Sequence, residues 1–161
     1  MATTVIPANL TVNIVESYSL NGVDYGNSMS KTYIDNGQVS QRVMSIAGST
    51  VGEDTNFFTT ILSLDNIDAK GQVVRADYKY FRITNLDTVN TLNLRFFNNA
   101  DYVAVKVLPA SSFLLMDNGI DTPATETATL AITDIYEIVG QSSSATEAID
   151  VEFVMVTGVT A

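Results

Sequence analysis

The chain has no cysteine, no histidine and no tryptophan, and only three prolines in 161 residues. Without cysteine there are no disulfides, no zinc-thiolate site and no thiol nucleophile, so the fold must stand on packing. Without histidine the commonest general base and the usual transition-metal ligand are gone, and catalysis would fall to carboxylates or lysine. Charge is also scarce: charged residues are 16% of the chain, against roughly 25% in ordinary soluble domains. The polar surface is therefore mostly Ser, Thr, Asn and Gln. Such a surface costs less to desolvate than one rich in Lys and Glu, and it suits a protein that packs against copies of itself or neighbours.

What charge there is leans acidic. Eight basic residues against eighteen acidic ones give a net charge of −10, which repels a phosphate backbone, so no nucleic-acid partner is expected. The basic residues Lys31, Arg42, Lys70, Arg75, Lys79, Arg82, Arg95 and Lys106 stand singly in the sequence. Folding could gather Arg75, Lys79, Arg82, Arg95 and Lys106 into a small cation patch, since they fall on neighbouring predicted strands. No apolar run approaches the roughly 20 residues of a membrane helix, and residues 1–20 lack the pattern of a secretory signal, so no membrane partner is expected.

Hydrophobic residues make up 46% of the chain, and at this length one core burying about 70% of the unfolded surface is expected. From Tyr78 to Met116 side-chain character alternates with period two, broken by Asn/Asp-rich turns, which predicts successive strands of a meander. Phe81 and Ile83, then Leu92, Leu94 and Phe96, then Val103, Val105 and Val107 should face a common core. Leu10 to Leu20 predicts a strand ending at Asn21-Gly22, a dipeptide suited to a tight hairpin, with Val23 to Tyr25 returning. Ser28 to Ile34 and Val39 to Ile46 predict a second hairpin around Asp35-Asn36-Gly37, as edge or protruding strands.

Phe57 to Leu64 and Leu130 to Val139 predict further strands, and Gln141 to Glu147 a Ser-rich loop. Ile149 to Thr157 is apolar on both faces, the pattern of a central, doubly covered strand. The expected architecture is all-β: a single jelly-roll-like β-sandwich over 10–161, with about eight to ten mostly antiparallel strands, preceded by an extended N-terminal arm over 1–9.

Three Asp/Asn clusters, Asp65 to Asp68, Asn98 to Asp101 and Asp117 to Asp121, invite a calcium reading, but none has the spacing of an EF-hand loop. Asp and Asn are also the ordinary turn formers. The metal candidates are Asp117 and Asp121, and no cofactor is implied. No nucleophile elbow, phosphate loop or dinucleotide fingerprint is present, so no enzyme is expected. A carbohydrate-binding module using the Asp/Asn loops and tyrosine faces is the alternative, with a carboxylate hydrolase behind it.

The segment FRITNLDTVNTLNLRFFNNADYVAVKVLPASSFLLMDNG, through Ile83-Thr84-Asn85, Thr91 to Phe96, Val103 to Pro109 and Ser112 to Leu115, resembles the small β-sandwich proteins of tailed-bacteriophage virions. The resemblance covers about a quarter of the chain. It implies a non-enzymatic virion structural protein made in the host cytoplasm: a capsid decoration (cement) protein, or a tail or neck component. Its partners would be the major capsid protein or other virion proteins, and further copies of itself in a homo-oligomer. The assembly candidates are Val5, Ile6 and Pro7 in the arm, and Met29 and Tyr33 in the strand beyond it.

Overall fold

The computed structural model describes residues 8–52, 56–63, 78–97, 102–116, 120–121, 129–130 and 135–158. The chain is all-β, and its described strands pair antiparallel throughout. In chain order they are β1 (Ala8–Glu16), β2 (Ser19–Leu20), β3 (Val23–Asp24), β4 (Asn27–Ile46), β5 (Thr59–Ser63), β6 (Tyr78–Asn85) and β7 (Leu92–Phe97). There follow β8 (Tyr102–Val107), β9 (Ser112–Met116), β10 (Ile120–Asp121), β11 (Thr129–Leu130), β12 (Glu137–Ser142) and β13 (Ile149–Gly158).

A five-stranded sheet, β1-β4-β13-β6-β9, faces a four-stranded sheet, β5-β12-β7-β8. With β1 set aside, the pairs β4–β13, β5–β12, β6–β9 and β7–β8 nest inside one another along the chain. Nested pairing of eight strands into two facing sheets of four is the jelly-roll arrangement. The strands from Tyr78 to Met116 exist as expected, but they are not a simple meander. Of these four strands only β7 and β8 pair as sequence neighbours, and the chain crosses between sheets from β6 to β7 and again from β8 to β9. The alternation read in the sequence cannot separate the two cases, because facing sheets both point their apolar side at one core.

That core takes Phe81 and Ile83 from β6, Leu92, Leu94 and Phe96 from β7, and Val151, Phe153 and Met155 from β13. Val103 and Val105 are half-buried because β8 is the rim strand of its sheet. β12 starts later than expected and runs through Gln141 and Ser142, which pair with Asn93 and Leu92. The Cβ-free Gly140 on this strand lets the side chains of Ile61 and Leu92 close over it.

The predicted hairpin around Asp35-Asn36-Gly37 does not form. β4 runs as one 20-residue strand through all three. Instead of pairing with each other, the two halves of β4 find separate partners. Residues 27–36 pair with β1 and residues 36–46 with β13, and at both irregularities, opposite Ala8/Leu10 and opposite Thr157/Gly158, the extra residue lies in β4. Asn36, buried at this handover, donates its side-chain N–H to the carbonyl of Tyr33 at 3.0 Å. Ala8 and Asn9, expected in the arm, belong to β1, and the rest of the expected arm, residues 1–7, lies outside the described residues.

One end of the sandwich is tied by Asn85, which is fully buried. Its amide donates to the carbonyls of Asn90 (2.8 Å) and Val107 (3.2 Å), and its Oδ1 accepts from the Asp87 N–H at 3.1 Å. Buried polar groups must be paired in this way to be tolerated. The crossing from β6 to β7 is thereby fixed to the end of β8. Asp87 then accepts the N–H groups of Asn90 and Val89, and these bonds hold its carboxyl below the ordinary carboxylate value.

Two outcomes are expected. Leu94→Ala removes a fully buried side chain and should cost about 2–5 kcal/mol, read from urea denaturation. The depressed Asp87 carboxyl contributes stability that is present above its unfolded value and is lost as pH falls through its folded value. Asp87→Asn should therefore flatten the acid limb of the stability–pH curve, seen as a difference in denaturation midpoint that shrinks with falling pH.

Candidate functional site

Beyond the handover at Asn36, β1 and the first half of β4 leave the sandwich as a two-stranded ribbon, capped by the β2–β3 hairpin. The hairpin turn is at Asn21-Gly22, with φ of 53° and 78°, the positive values that a tight turn of this kind needs. Behind the turn the Tyr18 and Tyr25 rings stack at 5.6 Å, and the Tyr25 N–H donates to the Tyr18 carbonyl at 3.0 Å. Asp24 accepts the Gly26 N–H at 2.9 Å. The tip is thus locally ordered, although it lies away from the main core.

The two faces of the ribbon differ. On one, Leu10, Val12 and Ile14 of β1 alternate in register with Tyr33, Lys31 and Met29 of β4. This face curls over the outer side of the five-stranded sheet, where Tyr33, Tyr80 and Val156 form a second, smaller core against Leu10, Val12, Leu114, Met116 and Val154. Tyr33 and Tyr80 are 4% and 5% exposed, with ring centroids 6.1 Å apart. Burial pushes the Tyr80 hydroxyl up, with Arg82 partly opposing it. Lys79 closes the curl by donating its Nζ to the Ile34 carbonyl at 2.6 Å.

Farther out, the same face ends in a recess of about 250 Å³ lined by Ile14, Glu16, Asn27 and Met29. Along the ribbon and at its tip apolar side chains stand in solvent: Val15 at 73%, Leu20 at 58% and Val23 at 53%, with Tyr18, Tyr25, Met29 and Ile34 also exposed. From Ala8 to Ser30 the only charged residues are Glu16 and Asp24. Isolated apolar residues on a surface are ordinary, whereas a cluster of them on a projecting element marks a contact surface.

Elsewhere the described arginines are engaged by groups of the molecule itself. Arg82 pairs with Glu152 at 2.6 Å, and Gln41 bonds the same carboxylate at 2.8 Å. Arg95 is held between the rings of Phe58 (4.0 Å) and Tyr102 (4.5 Å), with Phe97 packed on Tyr102. Arg42 lies over Phe153 and donates to the Ile61 carbonyl at 2.7 Å, bridging the rims of the two sheets. Among the described residues no cation patch forms. Lys79 and Arg82 belong to one sheet, and Arg95 and Lys106 to the other, while Arg75 lies outside the described residues. No three carboxylates gather in metal-binding fashion among the described residues.

Of the sequence-predicted residues, Met29 is exposed on the ribbon, while Tyr33, although on the same strand, is buried in the molecule's own second core. Tyr33 therefore does not offer its ring to a partner. Val5, Ile6, Pro7 and Asp117 lie outside the described residues. Asp121 ends β10, opposite Thr129 of β11. Sequence reasoning missed the tip residues Tyr18, Leu20, Val23 and Tyr25 as a surface, although the hairpin signal at Asn21-Gly22 lay among them. Compared with protein-family models, with characterised proteins and with solved structures, the chain matches none.

Because Leu20 and Val23 are more than half exposed, Leu20→Ser with Val23→Ser should shift stability by no more than about 0.5 kcal/mol. The same pair should clearly reduce binding of an apolar fluorescent dye to the folded protein.

Proposed function

We propose that this chain is a non-enzymatic virion structural protein, a capsid decoration (cement) protein that stabilises a capsid lattice through protein–protein contacts. The observation that carries the reading is the ribbon: a projecting element with seven large apolar side chains in solvent and only Glu16 and Asp24 charged between Ala8 and Ser30. Burying such a tip against a neighbouring subunit gains from the hydrophobic effect with little charge desolvation. Lattice symmetry would repeat that gain at every equivalent site.

Three further features support it. The segment from Phe81 to Gly119 resembles small tailed-phage virion proteins. The jelly roll is a scaffold shared by viral capsid domains and lectins, an analogy at the level of fold alone. The net charge of −10 favours a position away from packaged nucleic acid. Against the lectin reading, Arg95 already covers one face of each of the Phe58 and Tyr102 rings, which leaves less aromatic surface for stacking on a sugar.

The test uses capsids purified without this chain. Added protein should bind them at a fixed copy number and raise their thermal disassembly temperature. A Tyr18→Ser, Leu20→Ser, Val23→Ser variant should remain folded and lose binding. Failure to bind capsids, combined with binding to tail or neck assemblies, would move the chain to those structures. Glycan-array binding abolished by EDTA, with no binding to any particle, would sink the proposal in favour of a carbohydrate-binding module.

A further inference from the structure

β1 is an edge strand of the five-stranded sheet. Among the described residues its only ladder partner is β4, and none of them pairs with the backbone N–H and C=O groups of its other edge. Proteins usually blunt such edges with lysine, proline, inward charge, a bulge or brevity. From Ala8 to Ile14 the strand ANLTVNI has no charge and no proline, and the ladder is regular from Leu10 to Glu16. The contrast lies on the other side of the ribbon, where the free edge of β4 is covered at Ile34 by Lys79.

The geometry points to a second copy of this chain as the occupant of that edge, with two β1 strands pairing antiparallel about a two-fold axis through Val12. Val12 is the middle residue of the nine-residue strand, so an axis there pairs the strand along its whole length. Val12 then faces Val12 of the second copy, and Leu10 faces Ile14, which extends the apolar row of the curled face across the junction. On the opposite face Thr11 meets Asn13, both polar. The one charged residue, Glu16, falls opposite Ala8. The two Glu16 side chains are thereby held at opposite ends of the junction, about 27 Å apart at the ordinary strand rise, well beyond the screening length at physiological salt. Moving the axis to Asn13 or Ile14 would bring Glu16 against Leu10 or Val12 and break the apolar row. The product is a continuous ten-stranded sheet, β9-β6-β13-β4-β1 followed by its symmetry mate. This pairing is independent of the virion reading and requires no particle.

Sedimentation velocity of the purified chain over a range of concentrations should show a monomer–dimer equilibrium. Thr11→Lys with Asn13→Lys puts like charges opposite each other twice across the proposed junction, on the face away from the core. It should weaken the dimer at least about tenfold, with an unchanged melting temperature at concentrations low enough for both proteins to be monomeric. Thr11→Lys with Asn13→Glu puts opposite charges in the same two places and should keep the dimer. Hydrogen exchange at the β1 amides should slow as concentration rises. A chain that stays monomeric at its highest soluble concentration overturns the inference, as does an oligomer that the double-lysine variant leaves unchanged.

Discussion

The position of β13 between β4 and β6 is the constraint on which the rest of this structure depends. It is the strand that joins the first half of the five-stranded sheet to the second, and its two faces serve two different cores. Ile149, Val151, Phe153 and Met155 enter the sandwich, while Val154 and Val156 support the curled ribbon. Apolarity on both faces would by itself leave the register loose. Asp150 and Glu152 remove that freedom, because a one-residue slip would carry both carboxylates into the sandwich core. In the observed register Glu152 instead meets Arg82 and Gln41 across the neighbouring strands.

Much of the fold was legible because strand grammar is local. The inward rows of β6, β7 and β13, the turn at Asn21-Gly22 and the doubly apolar last strand all follow from alternation and turn chemistry. What was not legible depended on partners distant in sequence. Asp35-Asn36-Gly37 carries a good turn signal, yet β4 continues through it because β1 and β13 each offer a longer ladder than the two halves could offer one another. Tyr33 read as a surface residue because nothing near it in sequence covers it. Its cover comes from Tyr80 and Val156, which the curl brings over.

The candidate site was legible only in part, for the same reason. Met29 stood out as an apolar residue on a polar strand. The tip residues looked like an ordinary hairpin until the ribbon was seen to leave the sandwich. Arg42, Arg82 and Arg95 all find partners within the molecule, and what the ribbon offers outward is apolar surface and a backbone edge that no described strand pairs. Those two features suit association, in which shape and repetition set specificity more than a few charged groups do.

The nested order of strand pairs also has a temporal meaning. The β7–β8 hairpin closes over a short loop and can form within microseconds. Each pair outside it must close a longer loop, and the outermost, β4 with β13, joins Ile46 to Ile149. Such non-local topologies fold on the slower, millisecond-to-second scale. During synthesis β4 therefore emerges well before its partner and spends that interval with an open edge. The folding of this chain is paced from its far end, and the ribbon is the part of it that waits longest for a foundation.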